Sequence, residues 1–143
     1  MLNQVIGRVG RGHRAAQVIV QTYNPGSPII KQALTKNYAD FYTNQLTERR
    51  QFHFPPYCHL LKLSVARLSQ ATAQQAATTL ATSLKQRALP VEVVGPSPAF
   101  VAKAGGLYHW QLVIKAPGRS SLLSIIASLP ANWSYDIDPL HLL

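Results

Sequence analysis

The sequence predicts an α+β protein whose larger part is a split β-α-β-β-α-β unit, a four-stranded antiparallel sheet with two helices on one face. Three observations predict it. Cys58–Leu68 and Leu107–Lys115 alternate apolar and polar residues with period two, the pattern of half-buried strands. Ser69–Arg87 and Pro117–Leu129 carry apolar residues at helical spacing instead. Gly105-Gly106 separates two apolar runs by two residues, the loop length of a tight hairpin.

The elements follow in order. Gln17–Tyr23 (QVIVQTY) is rich in β-branched residues and is expected to form a strand, stopped by Asn24-Pro25-Gly26. Ser27-Pro28 has the form of an N-cap followed by proline at the first helical position, opening a helix to about Arg50. Ile30, Leu34, Phe41 and Leu46 approximate one stripe, thickened by Tyr38 and Tyr42. Phe54-Pro55-Pro56 forces extended backbone and marks a boundary. Beyond it, Leu61, Leu63 and Val65 share one strand face and Lys62 and Ser64 the other. Ala73, Ala76, Ala77, Leu80 and Leu84 make the stripe of the next helix. Val91–Val94 is a strand broken at Gly95-Pro96-Ser97-Pro98 and continued over Ala99–Lys103. In Leu107–Lys115, Tyr108, Trp110, Leu112 and Ile114 face one way, and His109, Gln111 and Lys115 the other. Leu122, Ile125, Ile126 and Leu129 stripe the last helix, and Trp133–Ile137 closes as a strand. This order has an economical solution in the ferredoxin-like arrangement. The chain divides into 1–24, a connector helix over 25–52, and a C-terminal domain over 53–143.

Of 143 residues, 14 are Lys or Arg and 5 Asp or Glu, a net charge of +9. Arg8, Arg11 and Arg14 give residues 1–24 a balance of +3, and residues 53–143 hold +4. There is no block of five like charges, so a basic surface is expected rather than a basic arm. The partner expected from charge alone is polyanionic. Apolar runs such as Leu122–Leu129 are too short to span a membrane. A single cysteine, Cys58, excludes an internal disulfide and a CxxC zinc site; it fits a reducing, cytoplasmic compartment and reads as a buried strand thiol. Five histidines show no ligand spacing, and Asp136 and Asp138, two apart on a strand, read as part of a closing turn at Pro139 rather than as a metal site. Tyr108 and Trp110 alternate as core residues do, not as a base-stacking platform.

The sharpest motif is Gln4-Val5-Ile6-Gly7-Arg8-Val9-Gly10-Arg11, a match to Q-x-x-G-R-x-x-R, the last motif of superfamily-2 helicases. Arginines three apart share a helical face, and such guanidiniums reach γ-phosphate oxygens as permanently charged planar donors. Further matches follow in order: Tyr23-Asn24-Pro25, Tyr38, Phe41-Tyr42, Leu46, Glu48-Arg49-Arg50, Phe54-Pro55-Pro56, Val94-Gly95-Pro96-Ser97-Pro98, Tyr108-His109-Trp110-Gln111, Ile114–Arg119 and Asp136-Ile137-Asp138-Pro139. Through these the chain resembles, along its whole length, the C-terminal part of PriA-type primosomal replication-restart DNA helicases. One departure is Ala16, where that family usually carries glycine before the strand.

The resemblance implies a parent that recognises stalled replication forks, unwinds DNA 3′→5′ with ATP and initiates primosome assembly in the bacterial cytoplasm, at the nucleoid. It implies ATP, Mg²⁺ and structural zinc in the parent but none in this fragment. The chain has no G-x-x-x-x-G-K-[ST] loop, no D-E-x-H box and no cysteine cluster, so it is not expected to hydrolyse ATP alone. Gln4, Gly7, Arg8 and Arg11 would be one half of a nucleotide site, residues 1–24 the end of the second motor lobe, and Glu48-Arg49-Arg50 a local ion pair or a latch of the connector. Implied partners are forked or branched DNA, the acidic C-terminal tail of single-stranded-DNA-binding protein, and other primosome proteins. For DNA the candidates are Lys62, Lys103, His109, Gln111 and Lys115. For the tail it is Arg119, at a helix start where N–H groups and the dipole favour an anion. The alternative is a free-standing ribosomal-type RNA-binding domain of the same fold, since fold does not fix function.

Overall fold

The computed structural model describes Gln4, residues 7–9, 17–34 and 38–142. The chain divides into two units, Met1–Glu48 and Arg49–Leu143.

In the first unit Gln4 has helical backbone and Gly7–Val9 form a turn. Arg11 and Arg14 lie outside the described residues. Residues 17–22, expected as a strand, form none. β-Branched composition fits a residue to a pleated surface, but a strand exists only where a ladder partner completes its hydrogen bonds, and no described residue supplies one here. The expected long helix is described in two stretches, α1 (Pro28–Leu34) and α2 (Tyr38–Gln51), with residues 35–37 between them outside the described set. The N-cap position is as expected, with Lys31 N–H donating to Ser27 O. Neither helix buries a residue, so the apolar stripe is only partly covered. Tyr38 and Tyr42, one turn apart, stack with centroids 6.1 Å apart.

The second unit holds the sheet. Its elements are β1 (His59–Arg67), α3 (Gln70–Gln86), β2 (Glu92–Ala104), β3 (Leu107–Ala116), α4 (Arg119–Ala127) and β4 (Trp133–Ile137). The strand order is β2-β3-β1-β4 and every pairing is antiparallel. β1 and β2 flank β3, so the β-α-β unit is split in the manner of the ferredoxin-like expectation. Ser69 caps α3 by accepting the Thr72 N–H at 3.2 Å. Gly105 and Gly106, both at positive φ (57° and 79°), turn the β2–β3 hairpin, and Ala104 pairs Leu107 across it.

Both helices lie on one face, because Leu80 and Leu84 of α3 and Leu122 and Ile125 of α4 close one core with Leu61, Leu63, Leu112 and Ile114. Trp110, Val65, Ala73 and Ala77 form a second cluster, as the alternation predicts for Trp110. One expectation is corrected. The Gly-Pro-Ser-Pro segment does not break the strand in two: β2 runs through it to Ala104, with register shifts between Val94 and Ser97 and between Pro98 and Lys103. Bulges absorb the prolines' missing donors on what is an edge strand.

Candidate functional site

The outer face of the sheet, away from the helices, carries most of the residues singled out above. It is closed over by the chain's own C-terminal segment, and Asp138 is the anchor. Asp138 stands just beyond β4 with φ 50°, so it does not share a strand face with Asp136 as the sequence spacing suggested. The Leu60 N–H donates to its Oδ1 at 3.0 Å, and its own N–H donates to Leu60 O at 2.8 Å. Arg119 Nη2 donates to Oδ2 at 2.8 Å, and His59 Nδ1 lies 3.1 Å from the same oxygen. The Leu60 N–H above all, then Arg119 and His59, hold the Asp138 carboxyl at a pKa of about 2 against the opposing effect of burial. Further along, Gln111 Nε2 donates to Leu142 O at 3.3 Å, so the segment reaches from the β4 edge to β3. Gln111 Oε1 is buried without a partner. A cleft of ≈ 900 Å³ opens beside this segment, walled by Phe54, Pro55, Phe100, Leu140 and Leu142 with His59 and Asp138 at its polar end.

Lys115 is not the free cation that its outward register suggests. Its side chain is 11% exposed: Nζ donates to Phe52 O at 2.8 Å, lies 3.6 Å from Glu92 Oε1 and sits 4.4 Å over the Phe54 ring. It ties the Phe54-Pro55-Pro56 segment to the sheet. Cys58 beside it is buried, its thiol donating to His53 O at 2.9 Å, and burial pushes its pKa up. Lys103 packs on the Tyr108 ring at 5.0 Å near the hairpin tip, and His109 Nε2 stands 3.4 Å from Ala104 O. Lys62 is half-buried and opposite Asp136 in register. Lys103, the register partner of Tyr108, lies on the helix side of the sheet, whereas Lys62, His109, Gln111 and Lys115 lie on the outer face, so the candidates form no single basic patch. Arg119 is the first residue of α4, with an exposed guanidinium that already holds Asp138. Gln4, Gly7 and Arg8 are exposed, Arg8 in a turn rather than on a helix face.

His59 and the role of Asp138 are missed by sequence reasoning, because 79 residues separate the pair and neither lies in a spacing motif. Among the described residues no three His, Cys, Asp or Glu gather as metal ligands. No described helix is long and apolar enough to cross a membrane.

Residues 50–140 match the family model for the primosomal protein N C-terminal domain. Relatives called replication restart protein PriA align with nearly the whole chain. That of Synechocystis is 35% identical over 96% of this chain and 17% of its own length. That of Bacillus subtilis is 30% identical over 100% of this chain and 18% of its own, and that of Thermotoga maritima 35% over 84% and 16%. The chain therefore spans less than a fifth of the length of these relatives.

Proposed function

The chain belongs to the primosomal protein N C-terminal domain family, and from that premise we propose that it is the nucleic-acid- and partner-binding module of an ATP-dependent 3′→5′ helicase acting at stalled forks. The observation that carries the reading is the family match running through the whole sheet unit, residues 50–140. Its support is a second unit in which bases outnumber acids, which suits forked DNA. Lys62 and His109 on the outer face and Lys103 near the hairpin tip are the residues we assign to DNA, Gln111 and Lys115 only with rearrangement of what now covers them. Titrating forked against fully paired DNA of equal length across salt tests it. A preference for the fork that survives rising salt is expected; equal affinities with equal salt slopes overturn it.

The second role is capture of the acidic, carboxylate-ended tail of single-stranded-DNA-binding protein by Arg119. The exposed guanidinium supports this, since it commits one N–H group to Asp138 and retains others for a ligand carboxylate. Arg119→Ala is expected to weaken binding of the tail peptide about tenfold, the worth of about 1.4 kcal/mol of charge-assisted hydrogen bonding. Unchanged affinity removes Arg119 from the site.

ATP and zinc do not fit the residues present. With no phosphate loop and one cysteine, the chain offers neither a cradle for nucleotide phosphates nor a zinc ligand set. Gln4, Gly7, Arg8 and Arg11 would serve a nucleotide only beside a motor that supplies those parts. An ATPase assay of the chain is expected to stay at background.

A further inference from the structure

The other layer of the second unit holds a groove unrelated to any motif in the sequence. It runs between α3 and the connection from α4 to β4, with a volume of ≈ 480 Å³. Gln75, Thr79 and Ser83 stand along its α3 wall at four-residue spacing, and Ser128 and Trp133 line the other side. Arg67 and Arg87 lie at its two ends, one before α3 and one after it.

We propose that this groove binds a single nucleic-acid strand, its phosphates held by Arg67 and Arg87 and its bases laid against Trp133. The inference rests on the nucleic-acid reading above and adds a site to it. Charge complementarity carries it. No acidic residue lines the groove, and α3 has no Asp or Glu in seventeen residues. The unit's acids are all placed elsewhere: Glu92 beside Lys115, Asp138 on Arg119, and Asp136 opposite Lys62 on the outer face. An ordinary solvated helix face mixes charges of both signs; this one offers hydroxyls and amides, the neutral groups that contact phosphate and sugar.

The arginines are pre-set. Arg67 Nη1 donates to Ala66 O at 2.9 Å and Arg87 Nη1 to Ser128 Oγ at 2.6 Å, which fixes each fork and leaves further N–H groups for phosphate oxygens. Trp133 is half-buried, packed on both core clusters with the rest of its ring in the groove. A rigid aromatic face suits a base, and only an unpaired strand presents one. From Thr72 to Arg87 the helix rises about 22 Å at 1.5 Å per residue. At about 3.4 Å per stacked nucleotide that is roughly six nucleotides.

The test uses the full chain and a labelled oligothymidylate, with fork DNA and an acidic peptide as parallel ligands, each titrated across salt. Arg67→Ala/Arg87→Ala is expected to weaken oligothymidylate binding about tenfold and to flatten the log–log salt slope by about 1.4, at about 0.7 per phosphate contact. Thr79→Glu, an exposed helical position, is expected to do the same with circular dichroism and melting unchanged, and the double Arg→Lys variant to restore part of the affinity. Wild-type affinity in the groove variants overturns the proposal, as does loss of peptide binding alone, which would assign the groove to an acidic protein segment. Fork preference retained with an inert groove overturns only the groove. Groove-dependent strand binding without fork preference overturns only the fork reading.

Discussion

Asp138 joins three parts of the second unit through one carboxylate: the β1 backbone at Leu60, the start of α4 at Arg119, and His59. Its pKa of about 2 in the folded protein lies below the value near 3.9 of an unfolded chain. A carboxyl depressed in this way stabilises the fold above about pH 4, and the contribution fades as pH falls towards 2. The side chain is 29% exposed, so solvent screening trims the benefit to about 1–2 kcal/mol. Asp138→Asn should therefore lower stability by about that amount at pH 7 and flatten the decline between pH 4 and pH 2, read by urea unfolding at stepped pH. An equally steep acid decline in the variant would place the effect on another carboxylate. The same substitution should act oppositely on ligand capture. It removes the anion beside Arg119, so an acidic tail peptide should bind several-fold more tightly to Asp138→Asn and more weakly to Arg119→Ala. Changes of the same sign would mean the two residues serve the tail only through the fold.

At the scale of elements, β2 shows what local pattern conceals. Gly95 sits at φ +99°, and a Cβ there would lie 3.3 Å from both Gln111 O and Ser97 N. Side chains rarely adopt that backbone region, and neither close neighbour is a flexible side-chain tip. Gly95→Ala should cost about 1–3 kcal/mol, measured as a drop in the unfolding midpoint. A neutral substitution would mean the bulge relaxes freely. β1, β3 and α3 are legible in the sequence because each buries one face against the core, so periodicity survives in the residues themselves, and the exposed hairpin turn is legible because its positive φ values select glycine. β2 is an edge strand with ten of its thirteen residues exposed, so it carries no alternation and its Gly-Pro-Ser-Pro reads as a break. Gln17–Tyr23 fails for the converse reason: the composition of a strand is present, and no described residue pairs with it. The candidate site is less legible still. Its geometry depends on where the C-terminal segment returns, and no spacing rule places Leu142 over Gln111 or Asp138 on Leu60.

At the scale of the molecule, the distribution of burial decides what folds. Every buried hydrophobic residue described, from Cys58 to Ile125, belongs to Arg49–Leu143, while α1 buries none and α2 none. Cooperative unfolding needs a shared core, and among the described residues only those of the second unit form one. A chain cut to residues 49–143 should therefore unfold in one transition, its midpoint within about 4 °C of the full chain, less than about 1 kcal/mol for a domain of this size. Leu112→Ala sets the scale for what a core contact is worth. That side chain is fully buried in the central strand, and its truncation should cost about 2–5 kcal/mol and lower the midpoint by well over 10 °C in both lengths alike. If the cut chain instead lost as much as the Leu112 variant, residues 1–48 would be contributing to the core of the second unit. The effects of the truncation and of Leu112→Ala should also add, because they act on separate units. Calorimetry on the four proteins reads the additivity directly, and a coupling above about 0.5 kcal/mol would show that the chain folds as one unit rather than two.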